Sequence, residues 1–231
     1  MSQQPNEDPR HRFSEMLAEI RSGLVAMGSL VTENLLRASE AMQEQRFDLI
    51  DVVRECDVEI NTMYAELEQA AFETVARQQP VATDLRFLIA ATRILYELER
   101  SGDLAVNCVN ILERLGGFPE SPRLLGTLDR LGRVTVDVFS QGVDALADMP
   151  ENAGVVLDKA DDDVDEMVGR FYTEIGQESE AIGLDAAVGL SRVGRFMERI
   201  ADHAVNIGEH ITWVVTAEFP GDYHGDPGDQ I

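Results

Sequence analysis

The stretch Glu99-Arg100-Ser101-Gly102-Asp103-Leu104-Ala105-Val106-Asn107 returns further on as Glu198-Arg199-Ile200-Ala201-Asp202-His203-Ala204-Val205-Asn206, with six of nine positions identical. Arg93 and Arg192 stand at the same distance before each glutamate. A second pairing lies upstream of each stretch. Asp57-Val58-Glu59-Ile60-Asn61 corresponds to Asp161-Asp162-Asp163-Val164-Asp165, with Met63 and Met167 in register. The chain is duplicated, and each half is expected to be one packed unit. Within each stretch the spacing is helical. At 3.6 residues per turn, positions i, i+4 and i+8 drift by only about 40° per step, so Glu99, Asp103 and Asn107 share one face, as do Glu198, Asp202 and Asn206.

Outward from these stretches, apolar residues recur at helical spacing almost throughout. Phe13, Met16, Leu17, Ile20, Leu24, Met27, Val31, Leu35 and Leu36 define a first helix to about Gln45. Ile50, Val53, Ile60, Met63, Leu67, Ala71 and Val75 define a second from Asp48 to Gln79, with Asp48 expected to cap it. A third is predicted from near Pro80 to Leu115, ended by Gly116 and Gly117. The proline-bearing segment 118–123 separates the halves. Three more helices are predicted over 124–147, 155–178 and 184–216. No run alternates in the manner of a strand, so the fold class is all-α: two tandem antiparallel three-helix bundles over 12–117 and 124–217. Residues 218–231, rich in Gly, Asp and Pro, are expected to form a disordered tail.

Charge narrows the function. Of 231 residues, 43 are acidic and 19 basic, a formal net charge of −24. Such a surface repels polyanions, which argues against a nucleic-acid partner and against direct binding to anionic membranes. By the same reasoning, free phosphate is not expected as a ligand unless a bound cation bridges it. Cys56 and Cys108 show no CxxC spacing and indicate neither a zinc finger nor a disulfide framework. The N-terminus carries no signal-like pattern, and no apolar run approaches the ~20 residues of a membrane span, so the expected location is the cytoplasm. No Walker loop, nucleophile elbow or Cys-His pair points to an enzyme.

The carboxylate rows are the candidate site. Like charges at i,i+4 cost a helix roughly 0.2–0.5 kcal/mol per pair, so a motif that places them twice calls for cations. Arginine is the simplest compensation, and Arg93, Arg100, Arg192 and Arg199 are near enough in sequence to pair with the rows. In each half, however, a second oxygen pair lies on the preceding helix, Asp57 with Asn61 or Asp161 with Asp165, so four oxygen ligands per bundle can converge. The candidate metal residues are Asp57, Asn61, Glu99, Asp103, Asp161, Asp165, Glu198 and Asp202, flanked by Arg100, Asn107, Arg199 and Asn206. An all-oxygen set suits Mg²⁺, Mn²⁺, Ca²⁺ or iron rather than a thiolate-type zinc site. A ferritin-like di-iron centre requires Glu-x-x-His, and none of His11, His203, His210 or His224 follows a glutamate by three. His203, about 100° round the helix from Asp202, does not join its row and is expected to be a partly buried or a pairing histidine. Asp84 and Arg86 are expected to cap and pair at the third helix's start, and Trp213 to be core.

The residues Ala76-Arg77-Gln78-Gln79-Pro80-Val81-Ala82-Thr83-Asp84-Leu85-Arg86, Leu98-Glu99-Arg100-Ser101-Gly102-Asp103 and Met197-Glu198-Arg199-Ile200-Ala201-Asp202-His203-Ala204-Val205-Asn206 resemble the PhoU family. The resemblance runs from Met27-Gly28-Ser29-Leu30-Val31 to Asn206-Ile207-Gly208-Glu209. It implies two three-helix bundles whose Glu/Asp-xxx-Asp motifs bind iron, manganese, magnesium or zinc. It also implies a homodimeric regulator of phosphate homeostasis that represses phosphate-starvation signalling by linking a sensor histidine kinase to the ATPase of a phosphate ABC transporter. Such a protein reaches the membrane only through its partners. One departure from the pattern is Asn61, a neutral ligand where aspartate is usual, which predicts a weaker first site. Two other readings remain open at this level: a metal-buffering or storage protein without a signalling role, and a scaffold whose carboxylates are all paired by arginine.

Overall fold

A computed structural model describes residues 9–218, and side chains from His11 onward. Among these residues there are six helices and no strand: α1 Pro9–Glu44, α2 Asp48–Gln78, α3 Ala82–Leu115, α4 Pro122–Asp148, α5 Ala153–Ile182 and α6 Leu184–Thr216. The expected tail lies outside the described residues apart from Glu218. No helix among the described residues is long and apolar enough to cross a membrane.

Helices α1, α2 and α3 pack on one another, and so do α4, α5 and α6. The halves meet along two seams, α1 against α4 and α3 against α6, which leaves α2 and α5 as outer helices. The apolar stripes close on this core. Ile20, Leu24, Met27, Val31 and Leu35 of α1 are buried, as are Phe139 of α4, Phe171 of α5 and Ile200, Ala201, Ala204 and Ile207 of α6. Two stripe positions fall outside it. Leu36 and Val75 are exposed, and Thr74, bonded to Ala70 O, takes the inner position beside Ala71. One residue is about 100° on a helix, so a stripe read by period alone errs at its margins.

The helix ends follow local chemistry with two corrections. Asp48 does not cap α2: Phe47 occupies the N-cap position, and Asp48 sits in the first turn, paired with Arg46 (2.7 Å). Arg46 thereby holds the Asp48 carboxyl below its ordinary range. Helix α3 starts at Ala82 rather than Pro80, because Val81 is extended. At its other end Gly116 adopts a left-handed conformation (φ 67°) and returns its N–H to Leu112 and Glu113, as the glycine pair predicts. Ser121 caps α4 through its hydroxyl, with Pro122 at the first helical position.

The seams use arginine as a helix stop. Arg21 of α1 donates to Leu146 O (3.0 Å) and Ala147 O at the end of α4. Arg86 of α3 donates to Val214 O (3.3 Å) near the end of α6, and to Thr83 rather than Asp84. A guanidinium at orphan C-terminal carbonyls meets the negative end of the helix dipole. Inside the second bundle, α5 and α6 approach closely at Gly208, where a Cβ would lie 2.9 Å from Ala153 O and 2.6 Å from Leu157 Cδ1.

Gly208→Ala is therefore expected to cost about 1–3 kcal/mol, because backbone must shift. A Cβ at exposed Gly176 meets nothing within 4 Å, and Gly176→Ala is expected to add about 0.5–1 kcal/mol by helix propensity. Urea unfolding checks both, and equal effects of one sign would contradict the packing described.

Candidate metal centres

Each carboxylate row sits where a middle helix of the sequence repeat meets its last one: α2 with α3, and α5 with α6. In the first half Gly102 is the enabling residue. A Cβ there would come within 2.9 Å of Asp57 Oδ1, so glycine lets the Asp57 carboxylate lie against α3 without shifting. Asp57 Oδ2 accepts a hydrogen bond from Asn61 (3.1 Å), while its Oδ1 is buried without a partner. Burial pushes the Asp57 carboxyl up, and Asp103 adds to it. Glu99 is raised by burial, then by Asp103 and Asp57, against the opposing charges of Arg100 and His203. Asp57, Glu99 and Asp103 thus form one interacting group.

The second half repeats the arrangement with more charge. Asp161 Oδ1 is again buried and unpartnered, the counterpart of Asp57 Oδ1. Burial, then Asp202, Asp165, Asp158 and Glu198, push the Asp161 carboxyl up to about 7. Asp202 is also raised, by burial, Glu198 and Asp165, with Arg195 and His203 opposing. Among the described residues no three His, Cys, Asp or Glu side chains stand close enough together, as placed, to hold a metal ion. Like-charged carboxylates favour such separation, and their raised protonation marks the cost of holding them together.

The cations fall differently from the sequence expectation. Arg100 does pair with its own row, to Asp103 (3.1 Å) and Glu99 (3.6 Å). Glu198, however, takes Arg195 (2.8 Å), one turn earlier, rather than Arg199. Arg93 lies over Trp213 (5.8 Å to the ring centre) and Arg192 over Phe196 (5.6 Å). Asn107 is exposed, whereas Asn206 turns away from its row to donate to Glu97 Oε2 (3.3 Å). Trp213 is partly buried against the core.

Sequence reasoning missed the centre of this face. Glu97 is buried, only 9% exposed, and accepts hydrogen bonds from both His203 Nδ1 and Asn206 across the α3/α6 seam. His203 is buried and pairs with Glu97, which agrees with the pairing alternative expected for it. The two rows therefore flank one seam. Glu97 escaped notice because its partners are more than a hundred residues away, while Asp158 and Arg195 could have been found at i−3 from Asp161 and Glu198.

The fold and this face define a duplicated helical protein with one carboxylate group per repeat. Known proteins of that class are similar to it. The PhoU domain model matches residues 24–112 and 128–211, one copy in each half, and the chain belongs to the PhoU family. It is 30% identical over 219 residues to a Synechocystis "Phosphate-specific transport system accessory protein PhoU homolog", covering 94% of this chain and 97% of that protein. It is 31% identical to the Escherichia coli accessory protein PhoU, covering 95% and 90%. The crystal structure of PhoU from Pseudomonas aeruginosa superposes with a TM-score of 0.82 at 28% identity, covering 89% of this chain and all of that one. A Streptococcus pneumoniae PhoU structure, 20% identical, shares the fold with a TM-score of 0.81.

The Asp161 carboxyl sets a pH dependence. Unfolded, it releases its proton near 3.8; folded, it keeps the proton to about 7. Between these values the native state binds more protons, so this contribution is fully present below about pH 4 and is lost as pH rises through about 7. In chelator-treated protein, stability is expected to fall across that window, and Asp161→Asn to flatten the fall. Urea titrations at successive pH values measure it; an unchanged slope in the variant would contradict the assignment.

Proposed function

We propose that this chain is a cytoplasmic accessory regulator of phosphate uptake which holds metal ions at its two carboxylate groups. The observation that supports it best is the repeated, buried, unpartnered oxygen of Asp57 and Asp161, each facing further carboxylates on the next helix. A bare buried carboxylate oxygen is costly, and a divalent or trivalent cation is the ligand that offsets it. Asp57, Asn61, Glu99 and Asp103 would hold one site, and Asp161, Asp165, Glu198 and Asp202 the other. All donors are oxygen, which favours Mg²⁺, Mn²⁺, Ca²⁺ or iron. The bound ion would supply charge neutralisation and fix the α2/α3 and α5/α6 spacing. Gly102 leaves room for the Asp57 carboxylate, and Glu97 with His203 ties together the two helices that carry the rows.

Related accessory proteins carry the phosphate-specific transport system in their names. On that footing the chain, as a homodimer, connects the transporter ATPase to a sensor histidine kinase and keeps the starvation response off when phosphate is plentiful. The metal-bearing α3/α6 face is then the surface whose shape reports state. Deleting the gene is expected to derepress a starvation-responsive promoter in phosphate-rich medium, and the wild-type copy to restore repression. An unchanged promoter would contradict the regulatory reading.

The two sites are expected to differ. Asn61 offers a neutral oxygen where the second half has Asp165, and Asp161 has more acidic neighbours than Asp57. Calorimetric titration with Mn²⁺ is expected to lose the tighter step in Asp161→Ala and the weaker step in Asp57→Ala. Equal losses would contradict this ranking, and a storage protein would instead take up many ions per chain.

A further inference from the structure

On the outer edge of the second bundle, away from the carboxylate rows, α4 and α5 enclose Glu174 and Thr127, which are 1% and 0% exposed. The Thr127 hydroxyl donates to Glu174 Oε2 (2.6 Å). Arg170 Nε (3.0 Å) and Arg123 Nε (3.3 Å) both meet Glu174 Oε1, and Arg123 Nη1 donates to Gln177 (2.7 Å). Arg130 Nη2 donates to Thr127 Oγ1 (3.0 Å) and forms no ion pair of its own among those described. Against the cost of burial, these bonds hold the Glu174 carboxyl below its ordinary range, so it stays ionised. Two guanidiniums therefore pair with one buried carboxylate and a third bonds the hydroxyl that donates to it, and all three arginines are exposed to solvent.

At three other arginines the balance is reversed. Arg46 faces Glu40 and Asp48, Arg54 faces Asp51 and Glu113, and Arg100 faces Glu99 and Asp103. Packing does not require the cluster, because the repeat places Glu66 and Ala70 where Arg170 and Glu174 stand. Access is open as well. Gly169 and Gly176 flank Arg170 and Glu174 along α5, and a Cβ at either meets nothing within 4 Å; at Gly126 it meets only Arg130 Nη1, at 3.9 Å. Arg123 also lies in the first turn of α4, at the positive end of its dipole.

We propose that Arg123, Arg130 and Arg170 form a binding site for a phosphoryl dianion, pre-arranged by Glu174 and Thr127. Guanidinium forks match tetrahedral oxyanions; Arg123 and Arg170 meet Glu174 through Nε and Arg130 meets Thr127 through one Nη, so other N–H groups of each remain to donate. Net charge alone argues against such a ligand in this chain. Salt, however, screens charges beyond about 8 Å, so the local excess decides. The source is either free inorganic phosphate or a phosphoryl ester on another molecule. The site does not depend on the metal groups.

The test is ¹⁵N NMR of arginine Nε–H signals in the chelator-treated full chain, titrated at fixed ionic strength with inorganic phosphate and, separately, with phosphoserine. Saturable shifts at Arg123, Arg130 and Arg170, absent at Arg77, are expected with at least one probe. Arg130→Gln, which leaves both Glu174 ion pairs intact, is expected to weaken binding about tenfold. Its unchanged thermal melt would show that the fold is kept, and Arg170→Gln gives a second variant. Tighter phosphoserine binding assigns an ester source and tighter phosphate binding the free ion. No saturable shift, or affinity unchanged in both variants, would overturn the proposal.

Discussion

Two carboxylate groups made by separate halves of a chain can share one face only if α3 and α6 lie side by side, and Glu97 fixes that arrangement. It is a buried carboxylate from α3 whose partners, His203 and Asn206, both come from α6. Removing one partner would leave a largely buried polar group short of a hydrogen bond, which is unfavourable. The seam is thereby specified in register as well as attracted by apolar burial. Arg21 and Arg86 extend the same logic to its ends, each stopping a helix of the other half.

Duplication explains the economy of the site and also its asymmetry. The i,i+4 carboxylates and the buried oxygen of the preceding helix recur in both halves, so one helical geometry produces both groups. What differs is the surrounding chemistry. Gly102 leaves room for Asp57 against α3, while Ala201 stands at the equivalent position of α6. Asn61 lowers the charge of the first group, and Asp158 raises that of the second. The Glu97 seam and the arginine cluster on Glu174 have no repeat counterparts, which marks them as additions to the duplicated frame.

Much of this was legible in the residues because it is local. Period, glycine stops and the repeat are short-range signals, and they defined six helices, their order and the faces carrying Glu99, Asp103, Glu198 and Asp202. Side-chain partners were less legible, since they depend on which helices adjoin. Arg199 shares a motif with Arg100, yet Arg195 reaches Glu198, and Arg93 and Arg192 rest on aromatic rings. Asp48 has the chemistry of a cap but meets Arg46 instead. Asn206 belongs to the ligand row by spacing and to the seam by contact, a choice that only the position of Glu97 settles.

The central claim is that the paired rows bind metal, rather than serve as salt-bridged surface. Elemental analysis of chelator-treated, metal-reconstituted protein tests it most directly, set against a variant with Glu99→Ala, Asp103→Ala, Glu198→Ala and Asp202→Ala. A few ions per chain, retained by the native protein and lost in the folded variant, is the predicted result. No specific retention by either protein would contradict the account and leave the rows as structure.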